Sequence, residues 1–359
     1  MDLGQVSAAA AIAFFVAAMF MLALRPAAFA IGLTDAPGGR KFHEGHIPVT
    51  GGIAMFLGTF AGASILDISG SLLLSMLLAS TLLVVIGVLD DRFHLSAAAR
   101  LSSQVVAILL MVFGAGLSLQ DIGDPFGTGT LFTGRLSLFI TMLVFVAMIN
   151  AYNFVDGADG LAGTLALIGL LAVTVVCGIF HPIGALSLTV AAAIGGFLLF
   201  NFPTVFNRSV RAFMGDAGST LLGFTIAWVT LSICQGTERL ISPVHCLWFA
   251  AIPIFDFFTC FVRRILKSKS PFLPGRDHFH HILIRGRFGV RKTLGILTGL
   301  QALYALVGLS GYFGGIPDAV MFSAWAIAGF SQIWVIRLIS KHHRHYVWRK
   351  RRAMLARHA

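Results

Sequence analysis

Long apolar runs separated by short polar stretches set the pattern of this chain. Eleven runs can be laid out, at roughly 6–24, 51–66, 71–89, 102–119, 136–152, 161–180, 184–202, 217–234, 243–262, 294–313 and 319–336. Most approach the ~20 residues that an α-helix needs to cross a bilayer. The pattern predicts an all-α polytopic membrane protein with about eleven transmembrane helices. Paired small residues inside the runs, Gly51–Gly52 and Gly195–Gly196, predict close helix contacts. No repeat or low-complexity linker divides the chain, so residues 1–359 read as one integral membrane domain.

Composition narrows this further. The chain is 57% hydrophobic and 11% charged, against about a quarter charged in soluble domains. That leaves too little polar sequence for a separate soluble domain. Cys177, Cys234, Cys246 and Cys260 lie in or beside apolar runs without metal-ligand spacing, and read as small core hydrophobes. Asp2 precedes the first run and Arg25 follows it, the reverse of a signal peptide's charge order. The first run therefore reads as a retained helix.

Charge fixes an orientation. Of 26 Lys and Arg residues, 24 fall in alternate connections, at 25–50, 90–101, 203–216 and 263–293 and in the tail 337–359. The positive-inside rule predicts an outer N-terminus and an inner C-terminus. The basic tail 337–359 then sits in the cytosol against lipid headgroups. The net charge of +11 needs no nucleic-acid partner. Asp35, Glu44, Asp90, Asp91, Asp156, Asp159, Asp216 and Asp277 also fall on the inner side, in connections or at helix ends. Asp256 lies about two turns inside its helix.

Candidate chemistry gathers in the inner stretches. Asp90 and Asp91 end the third run, where the negative end of the helix dipole meets two carboxylates. Arg92 or a divalent metal could compensate them. Asn153, Asp156 and Asp159 lie in NAYNFVDGADG between two apolar runs. Asp159 is also a plausible N-cap, and Gly157 and Gly160 allow close approach of a bulky anion. Asp216, in FMGDAGST, reads equally as an N-cap and as a metal ligand, and the glycines around it suit an anion cradle. Arg40 and Lys41 sit in a Gly/Pro-rich loop beside these acids and suit a phosphate-facing role. Arg276, His278, His280 and His281 share the longest inner loop. Adjacent His280 and His281 diverge on most backbones, which argues against zinc and for hydrogen bonding to a phosphate or sugar. Carboxylates with an amide suit a hard divalent metal. Together these features fit phosphoryl transfer between a cytosolic donor and a lipid acceptor.

In chain order, DAPGGRKFHEGHIPVTGG, GVLDDRFH, NAYNFVDGADGLAG, FMGDAGSTLLGF and SPFLPGRDHFHH resemble the motifs of the polyprenyl-phosphate N-acetylhexosamine 1-phosphate transferases. The resemblance runs through the whole chain. It implies transfer of N-acetylglucosamine 1-phosphate from UDP-N-acetylglucosamine to undecaprenyl phosphate, with release of UMP and with Mg²⁺ or Mn²⁺. It also implies a bacterial inner-membrane enzyme, active on the cytosolic face, that starts O-antigen or related surface polysaccharides. Asp90 and Asp91 match the family's catalytic aspartate pair, and Asp216 with Asn153 its metal ligands. Lys41, Asp156, Asp159 and the segment from Arg276 to His281 match substrate-site positions. His94 departs from the pattern, since close relatives often carry a third acid there. A muramoyl-pentapeptide donor is the nearest alternative, and a transporter the alternative of another class. The sequence leaves the oligomeric state open.

Overall fold

The structure, a computed structural model, describes residues 1–36, 45–68, 70–203, 211–236, 239–265, 268 and 278–355, without the side chains of 287 and 340–355. A backbone in hydrocarbon must satisfy its own hydrogen bonds, and the apolar runs do so as helices. They form α1 (Leu3–Ile31), α2 (Gly51–Ala63), α3 (Gly70–Phe93), α4 (Ala97–Ala115), α5 (Ser137–Val155), α6 (Leu161–Cys177) and α7 (Pro182–Asn201). Then come α8 (Gly215–Cys234), α9 (Pro243–Cys246), α10 (Ala251–Ile265), α11 (Phe279–Leu283), α12 (Gly289–Phe313) and α13 (Asp318–Leu355). Among the described residues nine helical segments are long and apolar enough to span a membrane, with Pro243–Ile265 counted as one. The apolar helices α2 and α6 are shorter. These eleven correspond to the eleven runs.

Local chemistry sets the ends. The Asp2 carboxylate accepts from Gln5 N at 2.7 Å and starts α1, and Ser96 Oγ accepts from Ala99 N at 3.2 Å and starts α4. Gly32 and Gly116, both left-handed, stop the same two helices. The first helix runs past the expected end near residue 24, because Arg25 lies along the helix, its guanidinium 5.7 Å from the Phe29 ring. Helix α13 likewise continues to Leu355, so the basic segment after Ile336 extends a spanning helix. No proline interrupts it.

Helix α8 is the centre of the bundle, buried along most of its length, and packs on α2, α3 and α5. Helix α1 lies against α2 and α7, and α6 against α7 and α12. Without a hydrophobic force between helices in lipid, close backbone packing carries more of the association. A Cβ at Gly52 or Gly87 would overlap the backbone at Ala217–Gly218, and one at Gly196 would overlap Phe14 O. The predicted close packing holds at Gly51, Gly52 and Gly196, whereas a Cβ at Gly195 would make only ordinary contact with the Phe14 ring. Inside the bundle Gln301 accepts from Ile252 N at 3.0 Å and donates to the carbonyls of Trp248 and Phe249. It covers the irregular turn that joins α9 to α10.

Candidate active site

Three helix ends converge. Helix α3 ends with Asp90 and Asp91, α8 starts beside them, and α5 ends with Asn153 nearby. The glycine contacts of α2 and α3 with α8 allow this approach. Strands β1 (Thr34–Asp35) and β2 (Ile47–Pro48) pair, and the chain after them is tied to the start of α8. Gly51 N and Gly52 N donate to Phe213 O and Met214 O, each at 3.0 Å.

Asp91 accepts from Asp216 N at 2.9 Å and Ala217 N at 3.3 Å. It therefore caps α8 from another helix. Asp90, 4% exposed, accepts from Leu95 N at 2.7 Å and lies 3.3 Å from Arg100 Nη1. The same Arg100 atom is 4.0 Å from Asp216 Oδ2. Asn153 Nδ2 donates to Asp216 Oδ1 at 2.6 Å and to Ser219 Oγ at 3.0 Å. The amide oxygen of Asn153 is thus turned away from Asp216. Asp159 forms an ion pair with Arg211.

Five expectations change here. Asp216 does not cap α8, because Gly215 (φ 73°) starts the helix one residue earlier and Asp91 takes the amides. The anion cradle expected at FMGDAGST has its first amides already engaged. Asp159 does not cap α6; Gly160 is the N-cap residue, left-handed at φ 76°, and Asn201 Oδ1 accepts its N–H at 2.7 Å. Gly157 is close to a side chain, since a Cβ there would overlap the His280 imidazole. Arg92 is not the cation of the acidic pair. Its Nε donates to Ile31 O at 2.7 Å and finishes α1. Arg100 takes that place.

The histidine segment docks on the same region. His278 packs on Phe154 with ring centroids 4.9 Å apart, and Phe154 stacks on Phe257. His280 is 1% exposed, and neither ring nitrogen has a hydrogen-bond partner among the described residues. Burial, then His281 and His278, hold its pKa well below the usual histidine range. The His280 and His281 rings, expected to diverge, lie 4.1 Å apart at their centroids, on the short helix α11. Burial, then the charges of Asp216 and Asp91, push the Asp156 carboxyl up to about 8, although part of the residue's surface stays open. Lys41 and Arg276 lie outside the described residues.

Of the predicted residues, Asp90, Asp91, Asn153, Asp156 and Asp216 come together, with Arg100 against Asp90 and Asp216. His278 and His280 meet the Phe154–Gly157 edge of that cluster, with the His281 ring against both, and Asp159 pairs with Arg211. The sequence reading took Arg100 and Arg211 only as topogenic charges, Ser219 only as part of the anion cradle, and Asp256 only as an acid inside its helix. Arg100 had a signal, a lone cation ten residues after Asp90, but it reads as a topogenic charge. The cluster tests well for a hard divalent ion. Four carboxylates crowd together, and burial and then its neighbours push Asp156 toward its neutral form; Asn153 would join them as a ligand only by turning its amide oxygen toward Asp216.

An acidic cluster at the helix ends of a polytopic bundle suits the binding of a phosphorylated substrate through a divalent ion. Residues 73–234 match the glycosyl transferase family 4 model. The chain is 37% identical over 322 residues to the undecaprenyl-phosphate alpha-N-acetylglucosaminyl 1-phosphate transferase of Escherichia coli K12, covering 88% of this chain and 87% of that one. It is similar to the proteins of the same name from Yersinia pestis, at 36% over 86% and 85% of the two chains, and Haemophilus influenzae, at 33% over 90% and 92%. The chain belongs to glycosyl transferase family 4, whose members transfer a sugar 1-phosphate to a polyprenyl phosphate. It is a multi-pass membrane phosphoglycosyltransferase, as its motifs implied.

Proposed function

We propose that this enzyme transfers N-acetylglucosamine 1-phosphate from UDP-N-acetylglucosamine to undecaprenyl phosphate and releases UMP. The reaction takes place at the inner leaflet of a bacterial cytoplasmic membrane and starts lipid-linked surface polysaccharides such as O-antigen. The observation that carries this reading is the 37% identity across 88% of the chain. Family membership removes the transporter alternative.

An acceptor phosphate oxygen attacks the β-phosphorus of the donor, the new P–O bond forms, and the bond to the UMP oxygen breaks. Asp90, beside Arg100, orients the acceptor phosphate. A phosphate monoester has a second pKa of about 6, so little base catalysis is needed near neutral pH. Asp216 and Asn153 would hold Mg²⁺ or Mn²⁺, which supplies charge neutralisation for the diphosphate. Asp156, Asp159, Lys41, Arg276 and the histidines serve the donor. An apolar cavity of about 520 Å³ suits the prenyl chain. Its lining runs from Met148 and Ala151 on α5 to Ile122 and Phe126 in the α4–α5 connection, at the end away from the acids.

The test is UMP release by the purified protein with undecaprenyl phosphate, Mg²⁺ and a panel of UDP-sugars. Turnover with UDP-N-acetylglucosamine well above the rest is expected. Turnover with UDP-muramoyl-pentapeptide alone would overturn the donor assignment.

A further inference from the structure

Asp256 is a carboxylate 1% exposed inside a spanning helix, and nothing in the reaction above uses it. Such a group is costly to bury unless its hydrogen bonds are satisfied. Its oxygens serve two partners 22 and 23 residues further along. Oδ2 lies 2.9 Å from His278 Nδ1, and Oδ1 accepts from Phe279 N at 2.7 Å. His278, 5% exposed, is the N-cap residue of α11 but has no cap bond of its own. The oxygen that reaches the start of that helix comes from Asp256 instead. On its other side the His278 ring meets Phe154, the neighbour of Asn153, and the Arg264 guanidinium lies 6.0 Å from the same Phe154 ring. The rings of His280 and His281 complete its surroundings, with centroids at 6.0 and 6.4 Å.

We propose that Asp256 is a positioning residue that acts through His278. It docks the returning chain on α10 and holds one proton of the imidazole at Nδ1. Nε2, which has no hydrogen-bond partner among the described residues, is then the unprotonated nitrogen, placed to accept from a sugar hydroxyl of the nucleotide-sugar donor. A carboxylate behind a functional histidine fixes both ring orientation and tautomer in this way. The substrate assignment rests on the proposed function; the Asp256–His278 pairing does not. Cys260 Sγ, 3.3 Å from the same Nδ1, makes a metal site the competing reading, because Asp256, Cys260 and His278 offer ligand atoms within 4.8 Å of one another. The short nitrogen–oxygen distance and the amide on Oδ1 favour the hydrogen-bonded pair.

Asp256→Asn is the informative variant. An amide has one acceptor oxygen for the two donors that Asp256 now satisfies. If the oxygen keeps Phe279 N, the NH₂ group faces Nδ1 and drives the ring proton to Nε2. Histidine ¹⁵N spectra, assigned by difference with His278→Gln, should show the Nδ1-protonated ring in the wild type and its loss in Asp256→Asn. Turnover of the donor should fall about 10–100-fold, the range for lost histidine-orienting partners. Asp256→Asn added to His278→Gln should cost little more, because the two act as a unit. Cys260→Ala should keep wild-type turnover. Three results would overturn the proposal: unchanged turnover of Asp256→Asn, full additivity with His278→Gln, or stoichiometric zinc in the purified protein that Cys260→Ala removes. A wild type inactive on UDP-N-acetylglucosamine but showing the paired ring in its spectrum would sink the substrate reading and leave the pairing standing.

Discussion

Replacing Asp216 by Asn keeps an oxygen for the Asn153 amide 2.6 Å away and removes one negative charge. Because Asp91 supplies the cap of α8, folding should not notice the change. With EDTA present the thermal midpoint should stay at or above the wild-type value, since one repulsion is relieved. UMP release should fall by ~10²–10³, the usual loss for one strong electrostatic element. Asp91→Ala is the converse. It strips Asp216 N and Ala217 N of their acceptor and should cost ~1 kcal/mol of stability, as lost caps do. Near wild-type turnover of Asp216→Asn at ordinary Mg²⁺ would refute its metal role. Asp156 adds a pH dependence. Its carboxyl, raised from 3.8 to about 8, binds protons more tightly in the folded protein than in the unfolded chain. The folded state is therefore favoured while Asp156 is protonated, and stability falls as pH rises from about 4 to about 8. Thermal midpoints in EDTA should fall more steeply over this window for the wild type than for Asp156→Asn. Parallel slopes would remove Asp156 as the source. The acids themselves were legible in the sequence, because carboxylates at a bilayer edge are too costly to be incidental. Their partners were not. Asp256 and His278 are joined across 22 residues, and the capping of α8 by Asp91 across 125, so no local spacing reveals either.

Among the elements, glycine contacts hold the site's geometry. A Cβ at Gly87 would run into the Ala217 backbone, so Gly87→Val must push α3 away from α8. Overpacking of this kind costs about 1–3 kcal/mol. It also draws Asp91 away from the Asp216 and Ala217 amides, so activity should fall further than stability. The check is to compare UMP release with the thermal midpoint. Gly295→Val, at a helical glycine with open space around it, serves as the control and should change both little. Equal behaviour of the two variants would show that the α3–α8 approach does not shape the site. The helices were readable from apolar run length alone, and the packing glycines from their pairing. The break between α9 and α10 was not, because Gln301, about fifty residues away, satisfies the backbone there. The ends of α1 and α13 were misplaced for a related reason. A basic residue was read as the edge of the membrane, but it ends no helix when its side chain can lie along the helix surface.

Over the whole molecule, chain direction separates two faces. Helix α3 delivers Asp90 to the site end, α4 leaves that end at Ser96, and α5 returns to it at Asn153. The connection between α4 and α5 therefore lies at the opposite end. It is built there by its own bonds: Asp124 Oδ1 accepts from Thr128 N and Gly129 N, and Arg239 pairs with Asp121 at 2.9 Å. In the sequence, the connections read as lying on the site side hold 24 of the 26 Lys and Arg residues, and under the proposed function that is the side the nucleotide sugar must reach. In the proposed orientation, which rests on the positive-inside rule, Asp90 and Asp216 face the cytosol and Thr128 faces outward. Ala98 and Thr128 are both exposed and test this directly. In a background with the four native cysteines replaced, Thr128→Cys should react with a membrane-impermeant maleimide on intact cells. Ala98→Cys, two residues from Arg100, should react only after the inner membrane is opened. The reverse pattern would place the acidic cluster on the outer face, beyond the reach of a cytosolic donor, and the proposed donor would fall with the orientation.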